Sequence, residues 1–322
     1  MKKTAAVEVS PFIEHKPSLS KRFKASYPFL LMLLPGFLAL LLFFYKPLYG
    51  MLIAFKDYRI KLGVFGSPWA DNYGMQWFLM LFRGTKFGTI MRNTVVISAL
   101  SMGLQMPCNI ILALLINEMR SVVYKRVVQT ITYLPHFFSW VILGGIFKTM
   151  FSITGPVNAI LNDMGMETVK FLENDTAFFV LLMVTRVWKS VGWGAIIYIA
   201  ALAGVDESLY EAAYIDGASR FKQVLHISIP SIMGTITTVL IMSISSLLSA
   251  GFDQIENMMN PFVREISEIL DTYALDLLQR GGSAGYGIGT ALGLFKGFVA
   301  VVLMKTSDKI VKIMSKDEFG VF

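Results

Sequence analysis

Six apolar blocks, each about twenty residues long, alternate with polar links along the chain: 27–45, 94–116, 127–147, 177–203, 232–250 and 283–304. About twenty apolar residues in a row is the length a helix needs to cross a bilayer. A membrane barrel would instead show alternating segments of about ten residues, and the chain has none. The pattern predicts an all-α integral membrane protein with about six transmembrane helices. Pro35 and Gly36 in the first block, and Pro135 and His136 in the third, mark the places where helical regularity should fail.

The links differ in charge, and this predicts sidedness. The N-terminal segment, the link after the second block (Arg120, Lys125, Arg126) and the tail (Lys305, Lys309, Lys312, Lys316) are basic. The links 148–176 and 251–282 are acidic, with Asp163, Glu167, Glu173 and Asp175 in one and Asp253, Glu256, Glu265, Glu268, Asp271 and Asp276 in the other. Basic links stay in the cytoplasm, so both termini are expected there. Lys46, Lys56, Arg59, Lys61, Arg83 and Lys86 run against this bias in the first external link, which is long enough for the rule to weaken. That link also carries Trp69, Tyr73, Trp77 and Phe78, suited either to the membrane–water interface or to packing over the bundle end. The resulting organisation is a cytoplasmic segment 1–26, the first helix with its external link 27–91, a membrane core 92–304 and a cytoplasmic tail 305–322. The basic start followed by an apolar run is not a cleaved signal, because the run is too long and Lys46, Pro47 and Leu48 follow it in place of a small-residue cleavage site.

One link has an internal order of its own. In 206–230, DESLYEAAYIDGASRFKQVLHISIP, Asp206 can cap a short helix, Asp216–Gly217 stops it, Ser219 can cap a second, and Pro230 leads into the next apolar block. A polar helical hairpin on the cytoplasmic side, with Ala212 and Ala213 leaving little bulk mid-helix, implies a job at the solvent face.

Composition narrows the function classes. Only 16% of the 322 residues are charged against 55% hydrophobic, and mean hydropathy is +0.59, too apolar for an ordinary soluble surface. The formal net charge of +7 is accounted for by basic residues beside apolar blocks, which argues against nucleic acid as a partner. A single cysteine excludes an internal disulfide, and three scattered histidines without ligand-spaced neighbours offer no metal site. No G-x-x-x-x-G-K-[ST] stretch occurs, so ATP is not bound here through a P-loop. No nucleophile–base pair stands out for a membrane enzyme.

Three sets of residues inside the membrane need an explanation. Arg186 and Lys189 lie three apart in the fourth block, on one helical face, with Trp188 and Trp193 nearby. Charges at mid-membrane are costly and should face a polar cavity or a partner. Two readings stand: a substrate path with the tryptophans as sugar platforms, or a pair near the external end that reaches the interface. Lys296 invites the same two readings. Gly281, Gly285, Gly289, Gly293 and Gly297 recur every four residues, a groove that admits another backbone. That groove serves either a partner subunit or the chain's own bundle.

The hairpin carries a recognisable pattern. Glu211-Ala212-Ala213, then Gly217, then Ile227-x-Ile229-Pro230 resembles the EAA loop of permease subunits of bacterial binding-protein-dependent ABC importers, with Ile229 where the family has leucine. Tyr133-Leu134-Pro135-His136-Phe137, Trp188-Lys189-x-Val191-Gly192-Trp193-Gly194, Gly251-Phe252-Asp253-Gln254 and Asn260-Pro261 further resemble the oligosaccharide and polysaccharide-fragment members. The resemblance implies a type I importer fold in the bacterial inner membrane. It implies pairing with a second homologous permease and docking of two cytoplasmic ATPase subunits, which bind ATP and Mg, so that this chain needs no cofactor. An extracytoplasmic solute-binding protein would deliver the sugar. Glu211 would then make a charged contact in an ATPase cleft, Ala212 and Ala213 would permit close packing, and Gly217 would make the turn, with Ile227 and Pro230 completing the motif.

The expectation is therefore a non-enzymatic transport subunit for a saccharide, with Arg186 and Lys189 suggesting acidic polysaccharide fragments. The alternative is a self-sufficient secondary carrier or channel for a polar solute, which would have no use for an ATPase-docking hairpin.

Overall fold

The computed structural model describes residues 19–315, with side chains from 26 to 313. Residues 1–18 of the expected cytoplasmic segment, and the tail beyond 315, lie outside that range. The chain divides into two units, one ending at Leu52 and the other beginning at Ile53. Residues 53–91, grouped with the first helix by sequence, thus fall in the second unit.

In the first unit, α1 (Leu19–Leu40) keeps its helical backbone through Pro28 and Pro35. It passes into a π-turn at Leu41–Tyr45 and a 3-10 stretch at Lys46–Phe55, whose last three residues are counted in the second unit. The first span therefore reaches Phe55, further than the 27–45 block. Lys46 lies inside it because the apolar run resumes at Pro47 and outweighs a single charge.

The second unit continues with α2 (Gln76–Arg83), α3 (Phe87–Asn117), α4 (Val122–Tyr133), α5 (Trp140–Met150), α6 (Pro156–Asp163) and α7 (Asp175–Leu202). Then come α8 (Glu207–Ile215), α9 (Arg220–Gln223), α10 (Met233–Ser245), α11 (Phe252–Met258), α12 (Leu270–Arg280) and α13 (Gly282–Ser315). Among the described residues, four helices are long and apolar enough to cross a membrane, and six spans result if each of two bent pairs counts as one.

The break expected at Pro135 and His136 is present, and a second bend, not expected, interrupts the fifth span. The third bends by 97° between Val122–Phe137 and Trp140–Met150. Pro135 has no N–H to continue the ladder, Leu134–Phe137 tightens into a 3-10 turn, and Phe138 is extended. Ser139 restarts the helix by accepting from the Ile142 N–H at 3.3 Å. The fifth bends by 60° between Arg220–Ser231 and Met233–Ser245, just after Pro230.

The core is built on α3 and α7, which pack along one another. Phe178 and Leu182 of α7 and Ile97 of α3 are fully buried with Ile255, Met258, Val263 and Ile269. Tyr198 and Ile232 close a second cluster lower down. Polar ties fix each end. Asn93 Nδ2 donates to the Glu265 and Glu268 carbonyls at 2.8 and 3.1 Å, and Asn260 Nδ2 to the Leu172 carbonyl at 2.7 Å. At the other end Arg220 pairs with Glu118 at 2.9 Å. The two acid-rich links thus share one side, and the hairpin shares the other with the basic link, as charge bias predicts.

Candidate functional site

Two regions hold the residues singled out by sequence: the hairpin and a polar cavity between α3, α7 and the segment after α10.

The hairpin forms through local chemistry. Asp206 Oδ1 accepts from the Ser208 N–H at 2.9 Å and caps α8. That donor holds the Asp206 carboxyl below its ordinary range, since it favours the charged form. Gly217 has φ of +72°, the left-handed position that ends many helices, and Ala218 N donates back to the Ala213 carbonyl at 2.9 Å. Ser219 Oγ accepts from Lys222 N at 3.4 Å to start α9, and a π-turn at Val224–Ser228 follows. A 2.9 Å hydrogen bond between the Tyr210 hydroxyl and buried Ser228 ties the two arms together. Glu211 and Ala212 are exposed and Ala213 is half-buried. Beside them Tyr214 is 79% exposed, Ile215 83% and Phe221 71%. Ile227 is half-buried in the anchoring arm, with Pro230 at its end. The result is a rigid, outward-facing helix with one carboxylate, small residues and an apolar rim.

The cavity has a volume of about 340 Å³, within the range of ligand pockets. Ser98, Ser101, Gln105 and Asn109 of α3 form one wall, at helical offsets of three, four and four. Arg186, Ser190 and Tyr198 of α7 form another, and Ser243, Ser246, Ser249 and Gln254 a third. Arg186 is buried. It donates from Nε to Gln254 Oε1 at 2.6 Å, from Nη1 to Ser101 Oγ at 2.7 Å and from Nη2 to the Ala250 carbonyl at 2.6 Å. Gln254 in turn donates to the Leu182 carbonyl at 2.7 Å and to Thr185 Oγ1 at 3.0 Å. Ser98 Oγ, Asn109 Oδ1 and the Tyr198 hydroxyl are buried on the wall without a hydrogen-bond partner.

Of the four residues expected on a path, only Arg186 lines this cavity. Lys189 donates to the His136 carbonyl at 2.8 Å and lies 5.6 Å from the centre of the Trp140 ring. It closes the end of the broken helix rather than facing open space. Trp193 stacks on His136, with centroids 4.4 Å apart and planes 1° from parallel. Trp188 meets Phe147 edge-on at 5.8 Å and lines a separate apolar groove with Leu143, Leu181 and Val184. The aromatic residues on the cavity wall are Trp140 and the buried Tyr198. The pattern of the sequence gives no role to Trp140 or to the polar stripe on α3, and Gln254 enters it only within Gly251-Phe252-Asp253-Gln254. The stripe was legible as polar positions at helical spacing, whereas Gln254 lies 68 positions from Arg186 and carried no such signal. Gly192 and Gly194 have a packing purpose: side chains there would overlap the Thr132 carbonyl and the Asn109 amide.

The glycine row divides. Gly285 faces the Leu277 carbonyl and Gly289 the Leu278 side chain, both on α12, while a Cβ on Gly293 or Gly297 would stand in open space, clear of every other element of this chain by 4 Å. Lys296 pairs with Asp271 of α12.

Comparison with known proteins gives this arrangement a family. Residues 105–316 match the model of the binding-protein-dependent transport system inner membrane component. The chain is 40% identical over 293 residues to Protein LplB of Bacillus subtilis (strain 168), covering 91% of this chain and 90% of that one. It is 38% identical over 300 residues to the polygalacturonan/rhamnogalacturonan transport system permease protein YteP of the same organism, covering 93% and 92%. Among solved structures it is similar to a chain of a bacterial alginate ABC transporter in complex with an alginate pentasaccharide-bound periplasmic protein. There the TM-score is 0.82 and the identity 34%, over 94% of this chain and 99% of that one. The fold, the membrane location and the hairpin between its spans thus agree with the sequence: the chain belongs to the inner-membrane components of binding-protein-dependent transport systems and is a permease subunit of an ABC importer, a transport subunit and not an enzyme.

Proposed function

We propose that this permease forms part of the membrane path for an oligosaccharide and takes its driving motion through the hairpin 206–230. The observation that carries the reading is the outward face of α8, where Glu211 and Ala212 stand exposed on a doubly capped helix rimmed by Tyr214, Ile215 and Phe221. Small side chains let such a helix seat in a groove, and a carboxylate entering that groove needs a cation opposite. The groove belongs to two cytoplasmic ATPase subunits, which bind the ATP and Mg. Gly217 sets the exit angle of α8, and Ile227 and Pro230 pass its movement into the fifth span.

The saccharide class is supported by what the relatives' names say they carry, polygalacturonan/rhamnogalacturonan and alginate. A polar cavity walled by serines, glutamines and Trp140 suits a polyhydroxylated solute. A second homologous permease completes the path, and an extracytoplasmic solute-binding protein delivers the sugar. A secondary carrier or channel would leave the α8 face without a purpose.

The test is reconstitution with the partner permease, the ATPase and the binding protein, followed by Glu211→Ala and Gly217→Ala. Both variants should assemble yet lose most ATP-driven uptake. Full uptake in both would remove the hairpin from the coupling.

A further inference from the structure

We propose that Arg186 reads a carboxylate on the transported molecule, so that the cavity is built for an acid-bearing saccharide; this rests on the cavity being the saccharide path. The argument begins with cost. An arginine that is only 8% exposed within a membrane span has given up most of its water. The usual compensation is a carboxylate, as at the partly exposed Arg264, Lys296 and Lys312, whereas the slimmer ammonium groups of buried Lys56 and Lys189 are met by backbone carbonyls. Among the described residues no carboxylate stands within ion-pair distance of Arg186. The three partners of Arg186 are all neutral oxygens. A guanidinium has five N–H groups, so these three bonds leave two, on a side chain that lines the cavity.

The rest of the wall points to the same ligand. Gln105, Ser190, Ser243, Ser246 and Ser249 line the same space and are not buried. Their amide and hydroxyl groups suit the hydroxyls of a sugar that carries the anion. The fork is also pre-organised. Gln254, Ser101 and Ala250 hold it in place, and Gly251 leaves it room, since a side chain there would overlap the guanidinium. Lys189 is excluded from this role, because the His136 carbonyl and the Trp140 ring already satisfy its ammonium.

The experiment titrates the purified importer, in lipid nanodiscs without its binding protein, with trigalacturonate and with its fully methyl-esterified form. The two share one sugar backbone and differ at the carboxyl groups, charged in one and neutral methyl esters in the other. The wild type should bind the acid at least about tenfold more tightly, and added salt should erode the difference. Arg186→Gln should bring the two affinities together, Arg186→Lys should retain part of the gap, and Lys189→Gln should leave it intact. Equal affinities in the wild type would overturn the proposal without any variant having to fold. A matched loss of both ligands in Arg186→Gln would also overturn it, leaving Arg186 as a brace for the wall. ATP-driven uptake of both forms without preference sinks this proposal alone. A complete importer that moves neither form nor any neutral saccharide would sink the transport reading and this proposal with it.

Discussion

Gly251 and Arg186, one at the head of α11 and the other midway along α7, occupy their positions by mutual exclusion. Gly251 has φ of +78°, and any Cβ built on it overlaps the guanidinium of Arg186. The guanidinium is fixed against the neighbouring Ala250 carbonyl at 2.6 Å. The break between α10 and α11 and the direction of the arginine are thus one feature. Gly251→Ala should combine left-handed strain of about 1 kcal/mol or more with displacement of Arg186. The measurement is the Tm of the assembled importer, which should fall, together with loss of uptake. An unchanged Tm would mean that the segment can shift freely and that the wall is not rigid.

The divided glycine row makes a paired prediction. Gly285→Ala collides with the Leu277 carbonyl and should destabilise the chain by itself. The Cβ added by Gly297→Ala meets no other element of this chain within 4 Å. In an isolated helix it should be neutral or stabilising by about 0.5–1 kcal/mol. Thermal unfolding of the solubilised chain separates the two. If Gly297→Ala lowers only the yield of the permease pair, the free half of the row is a subunit contact. If it lowers neither, that half faces lipid.

Lys189 is expected to act as a brace for the bend in the third span. Removing its ammonium in Lys189→Met leaves the His136 carbonyl without that donor, a cost of about 1–3 kcal/mol. Proteolysis or thiol labelling at 134–140 should show a looser bend in this variant, and an unaltered pattern would contradict the assignment.

Asp206 gives a pH prediction with a defined sign. Its carboxyl is depressed below the ordinary value of 3.8 by the Ser208 N–H. The cap is therefore complete above that value and fades only as pH falls through the lower value of the folded hairpin. Amide exchange across Glu207–Ile215, corrected for intrinsic rates, should stay flat from about pH 8 to pH 5. Asp206→Ala should speed it throughout that range. A titration of protection near neutrality would point to another group.

What the amino-acid sequence determined by itself was whatever depends on neighbours along the chain. Span length, link charge and the hairpin's caps are of this kind: Asp206, Gly217 and Ser219 act within a few residues of themselves, so their effect was legible before any fold was known. Which face of each span matters was decided only by the tertiary structure. A span that is apolar nearly all round offers little periodicity to mark an inner side. The cavity is assembled by contacts such as Arg186 with Ser101 and Gln254, 85 and 68 positions away. The same distance effect split residues that seemed to belong together. Arg186 and Lys189 share a helical face in sequence, but one lines a cavity and the other closes a broken helix, because His136 and Trp140 come from a span that bends by 97°. Trp188 and Trp193 appeared to be sugar platforms beside them, yet packing against Phe147 and His136 takes both rings off the cavity wall. Chain-local chemistry sets where this protein bends and caps; only packing between distant spans sets where its unpaired polar atoms meet.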